Sequence, residues 1–263
     1  GFVDEAIPFI DKAVKDEKPF YVNLWPDDVH SPFWPPVDKW GGTKRELYFS
    51  VLQEMDRQLG KLFDHINGSE NLRNNTLVVV CSDNGPEKGA GQSGPFRGYK
   101  THLYEGGIRS SLVAWGPGMI KERGKVNRTS VFSTIDLVPT LLQITGTKNP
   151  QGIQFDGESL PEVLLGKSSE SRKSALFFRR PPDRDAFYGD NDLPDLAMRK
   201  GKWKFLCEYD GSEVELYNLE DDRGEKENLA QTNDVIVASM KDQVIQWHKS
   251  MPPDSGDKLV KKK

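Results

Sequence analysis

Side chains able to do chemistry stand at a few well-defined places in this sequence of 263 residues. Asp83 and Asn84, in Ser82-Asp83-Asn84-Gly85, offer two hard oxygens side by side, the donor type that Ca²⁺ or Mg²⁺ takes. A full shell needs six or more oxygens, so two ligands alone make a weak site. Taken alone, the same segment is also an ordinary Asx-Gly turn closing a strand. Lys100 follows a Gly-rich stretch and precedes Tyr104-Glu105-Gly106-Gly107-Ile108-Arg109. A cation beside paired glycines, which let backbone come close, suits an oxyanion, although a solvated lysine beside a turn has the same local sequence. His30 lies just before Pro32, Pro35 and Pro36. A rigid loop there presents an imidazole as acid or hydrogen-bond donor, or simply holds a structural histidine. Asp27, Asp28 and His102 are candidate substrate-binding residues; the two aspartates also fit a merely solvated loop.

These groups need elements to carry them. Val3, Ala6, Ile7, Ile10, Ala13 and Val14 recur at helical spacing and predict a first helix up to Asp16. After Pro19, Phe20 to Trp25 is aromatic and β-branched and reads as a strand that delivers Asp27, Asp28 and His30 at its C-terminal end. Leu47, Val51, Met55, Leu59, Leu62 and Ile66 make one apolar stripe, a helix stopped by Asn67-Gly68 and followed by a polar loop. Leu77 to Cys81 is a short apolar run suited to a strand buried on both faces, and the aperiodic, Gly- and Pro-rich Pro86 to Gly98 reads as a site-lining loop. Ser111 to Trp115 reads as a further strand, and Ser133 to Asp136 as a capping box opening a helix that stops at Gly146.

Strands alternating with helices imply a mostly parallel sheet flanked by helices, an α/β fold whose sites gather beyond the carboxyl ends of its strands. The segments around His30 and Asp83 are therefore expected to converge. Beyond Pro150 the pattern changes to short strands: Ala175 to Phe178, Leu196 to Arg199, Trp203 to Glu208 and Glu213 to Asn218. Gly-containing turns such as Asp210-Gly211 join them into a small C-terminal antiparallel sheet packed with a helix from about Asp234 to Lys249. Two domains are expected, residues 1–150 and 151–263.

Charge excludes one function class. Lys and Arg number 36 and Asp and Glu 40, a net charge of −4 with both signs spread along the chain, which argues against nucleic-acid binding through bulk charge. No apolar run approaches the ~20 residues of a membrane span, and the first residues lack the basic and apolar pattern of a signal peptide. Two cysteines, Cys81 and Cys207, build no disulfide framework and sit in no zinc spacing. Asn-x-Ser/Thr triplets at Asn67, Asn74 and Asn127 are a weak pointer to secretion. Lys200 to Lys204 reads as solvated surface charge.

Taken together and in order, these stretches resemble the sulfatase family, in the style of its arylsulfatase and N-acetylgalactosamine-6-sulfatase branch. The resemblance is carried by Lys18-Pro19-Phe20-Tyr21 leading to His30-Ser31-Pro32, by Asn75 to Gly85, and by Gly98-Tyr99-Lys100 with Tyr104 to Arg109. Asp136 to Leu142, Lys200 to Lys204, and Glu215-Leu216-Tyr217-Asn218-Leu219 running to Glu227-Asn228-Leu229-Ala230 extend it over nearly the whole chain. It implies an alkaline-phosphatase-like fold, a Ca²⁺ or Mg²⁺ ion held by Asp83 and Asn84, a Lys100 that binds sulfate oxygens, and a His30 that contacts the sulfate or the leaving oxygen. It also implies a sulfated carbohydrate or aryl sulfate as substrate, and a secreted, periplasmic or lysosomal location.

Two positions depart from the family without touching these residues: Val29 where a proline is usual, and Ser110-Ser111 after the Gly-Gly-x-Arg motif. A larger departure is that the 263 residues contain neither C-x-P-S-R nor S-x-P-S-R, the motif whose first residue becomes the formylglycine nucleophile. The chain is therefore expected to be the C-terminal part of a sulfatase, inactive alone, and weakly stable or self-associating as a half-domain. Two other readings stay open: a phosphatase or phosphonate ester hydrolase of the alkaline-phosphatase-like group, and a non-catalytic half that binds sulfated glycans.

Overall fold

Apolar spacing in the first turns produces α1 (Phe2–Lys15), with Val3, Ala6 and Ile10 buried. The computed structural model describes residues 1–27, 29–180 and 193–252. The chain divides into two units, each described by itself: Gly1–Val79 with Gly89–Gly91 and Trp115–Lys121, and the remainder. In the first, α2 (Lys44–Gly68) begins at a capping box: the Thr43 N–H donates to Glu46 Oε2 (2.7 Å) and the Glu46 N–H to Thr43 Oγ1 (3.3 Å). His65 Nε2 lies 2.8 Å from Asp11 Oδ1 and ties this helix to α1. Where a polar loop was expected, Ser69 accepts the Leu72 N–H and restarts the chain as α3 (Glu70–Asn75), a helix of one and a half turns.

Val3, Ile10, Leu62, Ile66 and Leu72 form the core of this unit, and Phe20, Val22 and Leu24 pack on it. The expected strand at residues 20–25 is thus extended, with alternate residues half-buried and Tyr21 and Trp25 exposed, but it joins no ladder among the described residues. Period-two burial alone does not make a strand; a hydrogen-bonded neighbour is also needed.

β1 (Val78–Cys81) follows and is half-buried, with Cys81 exposed, rather than covered on both faces. Among the described residues it pairs with one strand, in a sheet of two, which leaves its other edge open. The motif Tyr104 to Arg109 contains the short helix α4 (Glu105–Ile108), and β1's partner is β2 (Leu112–Trp115). A 3₁₀ turn at Thr134–Asp136 leads into α5 (Leu137–Thr145), which ends with Gly146 left-handed at φ +68°. The fully buried Asp136 accepts from the Ser133 and Glu158 N–H groups and from Arg172 Nη1 at 3.0 Å. Next comes α6 (Pro161–Leu164).

The C-terminal sheet runs β3 (Leu176–Arg179), β4 (Leu196–Lys200), β5 (Trp203–Cys207), β6 (Glu215–Asn218), all antiparallel neighbours as expected. On one face Leu196, Met198, Phe205, Cys207 and Leu216 pack against Met240 and Val244 of α7 (Asp234–Ser250). On the other, Ala197, Leu206 and Tyr217 pack against Leu103 and Tyr104. Strand alternation therefore turns Lys204 toward the buried second face, where it is 0% exposed. This corrects the reading of Lys200 to Lys204 as solvated charge: Lys200 and Lys202 are exposed, but Lys204 sits in a sheet covered on both sides.

Candidate active site

The turn after β1 is held mainly by backbone. Ser110 Oγ donates to the Ser82 carbonyl (2.8 Å), and Ser82 Oγ to the Asn84 carbonyl (2.9 Å). Asn84 Nδ2 donates to the Gly85 carbonyl (3.0 Å), which commits the nitrogen end of the carboxamide and leaves Oδ1 with no described hydrogen bond. The exposed Asp83 carboxylate likewise has no described partner. The Gly85 N–H donates to the Gly107 carbonyl (2.7 Å), the Gly106 N–H to the Arg97 carbonyl (2.7 Å) and the Lys100 N–H to the Pro86 carbonyl (2.9 Å). A Cβ on Gly85 would stand 1.8 Å from the Gly106 oxygen, and one on Gly106 2.3 Å from the oxygens of Arg97 and Gly98. Glycine is obligatory at both positions because backbone passes through the space a side chain would fill. One knot of loops thus carries Asp83, Asn84 and Lys100, and the Lys100 ammonium, half-exposed, has no described ion pair.

His102, expected as a substrate-binding residue, is 8% exposed, and its ring packs on Tyr99 with centroids 4.2 Å apart. In the first unit, Asp27 and His30 are exposed on the loop that follows the extended segment. His30 Nδ1 lies 2.7 Å from the Ser31 carbonyl, which can only accept, so the ring carries its proton there and keeps Nε2 for other work. Asp28 lies outside the described residues.

Residues that sequence reasoning passed over lie directly behind the knot. Glu105, 1% exposed, receives Lys204 Nζ on Oε1 (3.1 Å) and Arg199 Nη1 on Oε2 (2.8 Å), with Arg109 Nη1 at 3.5 Å. Its N–H donates to Glu225 Oε2 (2.7 Å), and Lys204 Nζ stands 3.6 Å from Glu225 Oε1. Burial pushes the Glu105 carboxyl up, but Lys204, Arg199 and Arg109 outweigh it and hold it below its usual range. For Glu225 burial wins over Lys204 and the group is pushed up to about 7. Arg97 Nη1 bonds Tyr217 Oη (2.9 Å) and the Glu225 carbonyl (3.2 Å) while its guanidinium lies 3.7 Å from the Tyr104 ring centroid. The signal for this cluster was a lysine interrupting the apolar run Trp203 to Cys207.

The donor set fits a hard divalent cation in kind, since two oxygens on consecutive residues are free of described protein partners. No group of three or more His, Cys, Asp or Glu suited to a metal occurs among the described residues, so this knot supplies two ligands and not a whole shell.

Residues 2–147 match the Sulfatase family, and residues 94–250 match the family described as N-sulphoglucosamine sulphohydrolase, C-terminal. The chain belongs to the sulfatase family. It is similar to a protein named Sulfatase from Formosa agariphila (28% identical, covering 88% of this chain and 45% of that one) and to human Arylsulfatase G (30%, 85% and 46%). Other relatives carry the name N-acetylgalactosamine-6-sulfatase. Among solved structures, Ps i-CgsB in complex with k-i-k-neocarrahexaose superposes with a TM-score of 0.80 at 25% identity, over 98% of this chain and 57% of that one. The chain spans about half the length of the curated relatives it matches. Its fold is that of sulfatases, and membership implies a metal ion and a formylglycine. No helix among the described residues is long and apolar enough to cross a membrane.

Proposed function

We propose that this chain is the part of a sulfatase that binds the sulfate group and part of its metal, within a mostly parallel sheet (residues 1–150) completed by a C-terminal subdomain (residues 151–263). The observation that carries the reading is the knot around Gly85 and Gly106-Gly107, which joins two metal-type oxygens and a lysine, all without a side-chain partner among the described residues. Asp83 and Asn84 Oδ1 would hold part of the shell of a divalent cation, Ca²⁺ or Mg²⁺, which would supply Lewis-acid stabilisation of charge on the sulfate oxygens. Lys100 holds a further sulfate oxygen and stabilises the charge that grows there as the ester bond breaks. His30, its Nδ1–H committed to the Ser31 carbonyl, acts in its doubly protonated form: the second proton, on Nε2, passes to the departing alcohol oxygen and leaves the neutral ring. Asp27, Asp28 and His102 are the further residues proposed to bind substrate.

The substrate is a sulfated carbohydrate or an aryl sulfate, and the location is secreted, periplasmic or lysosomal. The 263 residues contain no formylglycine motif, so the nucleophile is not among the groups assigned here. The test compares aryl sulfate and aryl phosphate hydrolysis by the protein with its formylglycine-bearing region present. Sulfate preference lost on Lys100→Ala supports the reading; a large preference for phosphate contradicts it. Tight metal-independent binding of sulfated glycans by this chain, abolished in Lys100→Ala, would instead favour a binding module.

A further inference from the structure

The charge cluster behind the knot lies outside every role assigned above. Lys204, on β5, is fully buried and touches two carboxylates, Glu105 and Glu225. Glu105 opens α4, and its own N–H is held by Glu225. The next two residues are the glycines whose backbone grips Arg97 and Gly85. From Lys204 to Asn84 the path is short: one ion pair, the backbone of residues 105–107, one hydrogen bond and one peptide. Arg199 and Arg109 add two more cations on the same carboxylate, so Glu105 is anchored from two strands and from its own helix.

A surface lysine needs no such arrangement, and an apolar residue would fill this sheet at less desolvation cost. What a buried ion pair provides and an apolar contact does not is a defined direction, because charge-assisted hydrogen bonds fix angle as well as distance. We propose that Lys204, Glu105 and Glu225 are positioning residues of the metal and sulfate site: through them the C-terminal sheet sets the angle of the Gly106-Gly107 backbone, and with it the Asp83-Asn84 pair. This rests on the proposed role of Asp83 and Asn84 as metal ligands.

The test uses the full chain and amide hydrogen exchange, with Tb³⁺ luminescence as the cation probe. In Lys204→Met the Gly85 amide should exchange at least ~10-fold faster while the β3 to β6 amides stay protected, and Tb³⁺ affinity should fall by a similar factor; a tenfold change corresponds to ~1.4 kcal/mol. Lys204→Arg, which keeps the charge, should recover a large part of both. An intact sheet with Gly85 exchange within twofold of the parent chain overturns the proposal. Where Lys204→Met does not fold, Glu105→Gln decides by the same readout, since it leaves Lys204 paired with Glu225. Tb³⁺ binding unchanged in Asp83→Asn would refute the ligand role instead, and the Gly85 exchange result would still judge the positioning role.

Discussion

Gly85→Ala is the sharpest perturbation of the knot. The new methyl carbon would stand 1.8 Å from the Gly106 oxygen, 2.8 Å from its carbonyl carbon and 3.0 Å from Gly107 Cα. A carbon–oxygen contact relaxes only at ~3.3 Å or more, so the two backbones must part by ~1.5 Å. That separation breaks the 2.7 Å bond from the Gly85 N–H to the Gly107 carbonyl. A buried donor and a buried acceptor left unpaired cost ~1–3 kcal/mol each, giving ~4 kcal/mol for the pair. In a protein of this size that lowers the melting temperature by ~8–16 °C, at ~2–4 °C per kcal/mol. Differential scanning calorimetry measures it directly. Gly60→Ala provides the control: this glycine lies inside α2 with nothing within 4 Å of its Cβ position, so alanine should stabilise by up to ~1 kcal/mol. A Gly85→Ala loss below ~1 kcal/mol would refute the close-approach argument.

Other expected outcomes follow from the same geometry. Asp136→Ala strips the counter-ion from Arg172, itself 6% exposed, and should cost ~3–5 kcal/mol in chemical denaturation; a loss under ~1 kcal/mol would contradict the pairing. Because the folded Glu225 carboxyl titrates near 7 against 4.5 when free, the folded state binds its proton more tightly, so this group's contribution to stability falls as pH rises from about 4.5 to 7. Glu225→Gln should therefore match the parent chain near pH 4.5 and gain on it by up to ~3 kcal/mol at pH 7.5; an offset constant with pH would refute the assignment. Lys100→Ala and His30→Ala should each lower sulfate ester turnover of the protein with its formylglycine-bearing region present by ~10²-fold or more, with melting temperature unchanged, since neither side chain supports the fold. Equal loss of stability and turnover would show that they act structurally.

What the sequence made legible is what local physics decides. The apolar stripe of α2, the capping box before α5 and the alternation of strands beyond Pro150 each depend on neighbours a few residues away. Asp83, Asn84, Lys100 and His30 could be singled out by type and order, but the links that fix the first three are backbone bonds, Gly85 to Gly107 and Lys100 to Pro86, which no side-chain pattern displays. Lys204 was misread because its partners Glu105 and Glu225 come from distant segments, and a lysine amid apolar residues carries no record of which carboxylate meets it. The extended segment at residues 20–25 shows strand composition, yet composition cannot supply the neighbour that makes a ladder.

The ion pair between Glu105 and Lys204 closes a loop of 99 residues, and this has a consequence for biosynthesis. A ribosome adding ~5–20 residues per second emits the Tyr104 to Arg109 segment ~5–20 s before β5. Throughout that interval Glu105 has neither Lys204 nor Arg199 beside it. The glycine knot therefore reaches its final form late, after β5 and the segment bearing Glu225 have been translated, and a nascent chain arrested between residues 110 and 200 should hold its metal-type oxygens on an untethered loop.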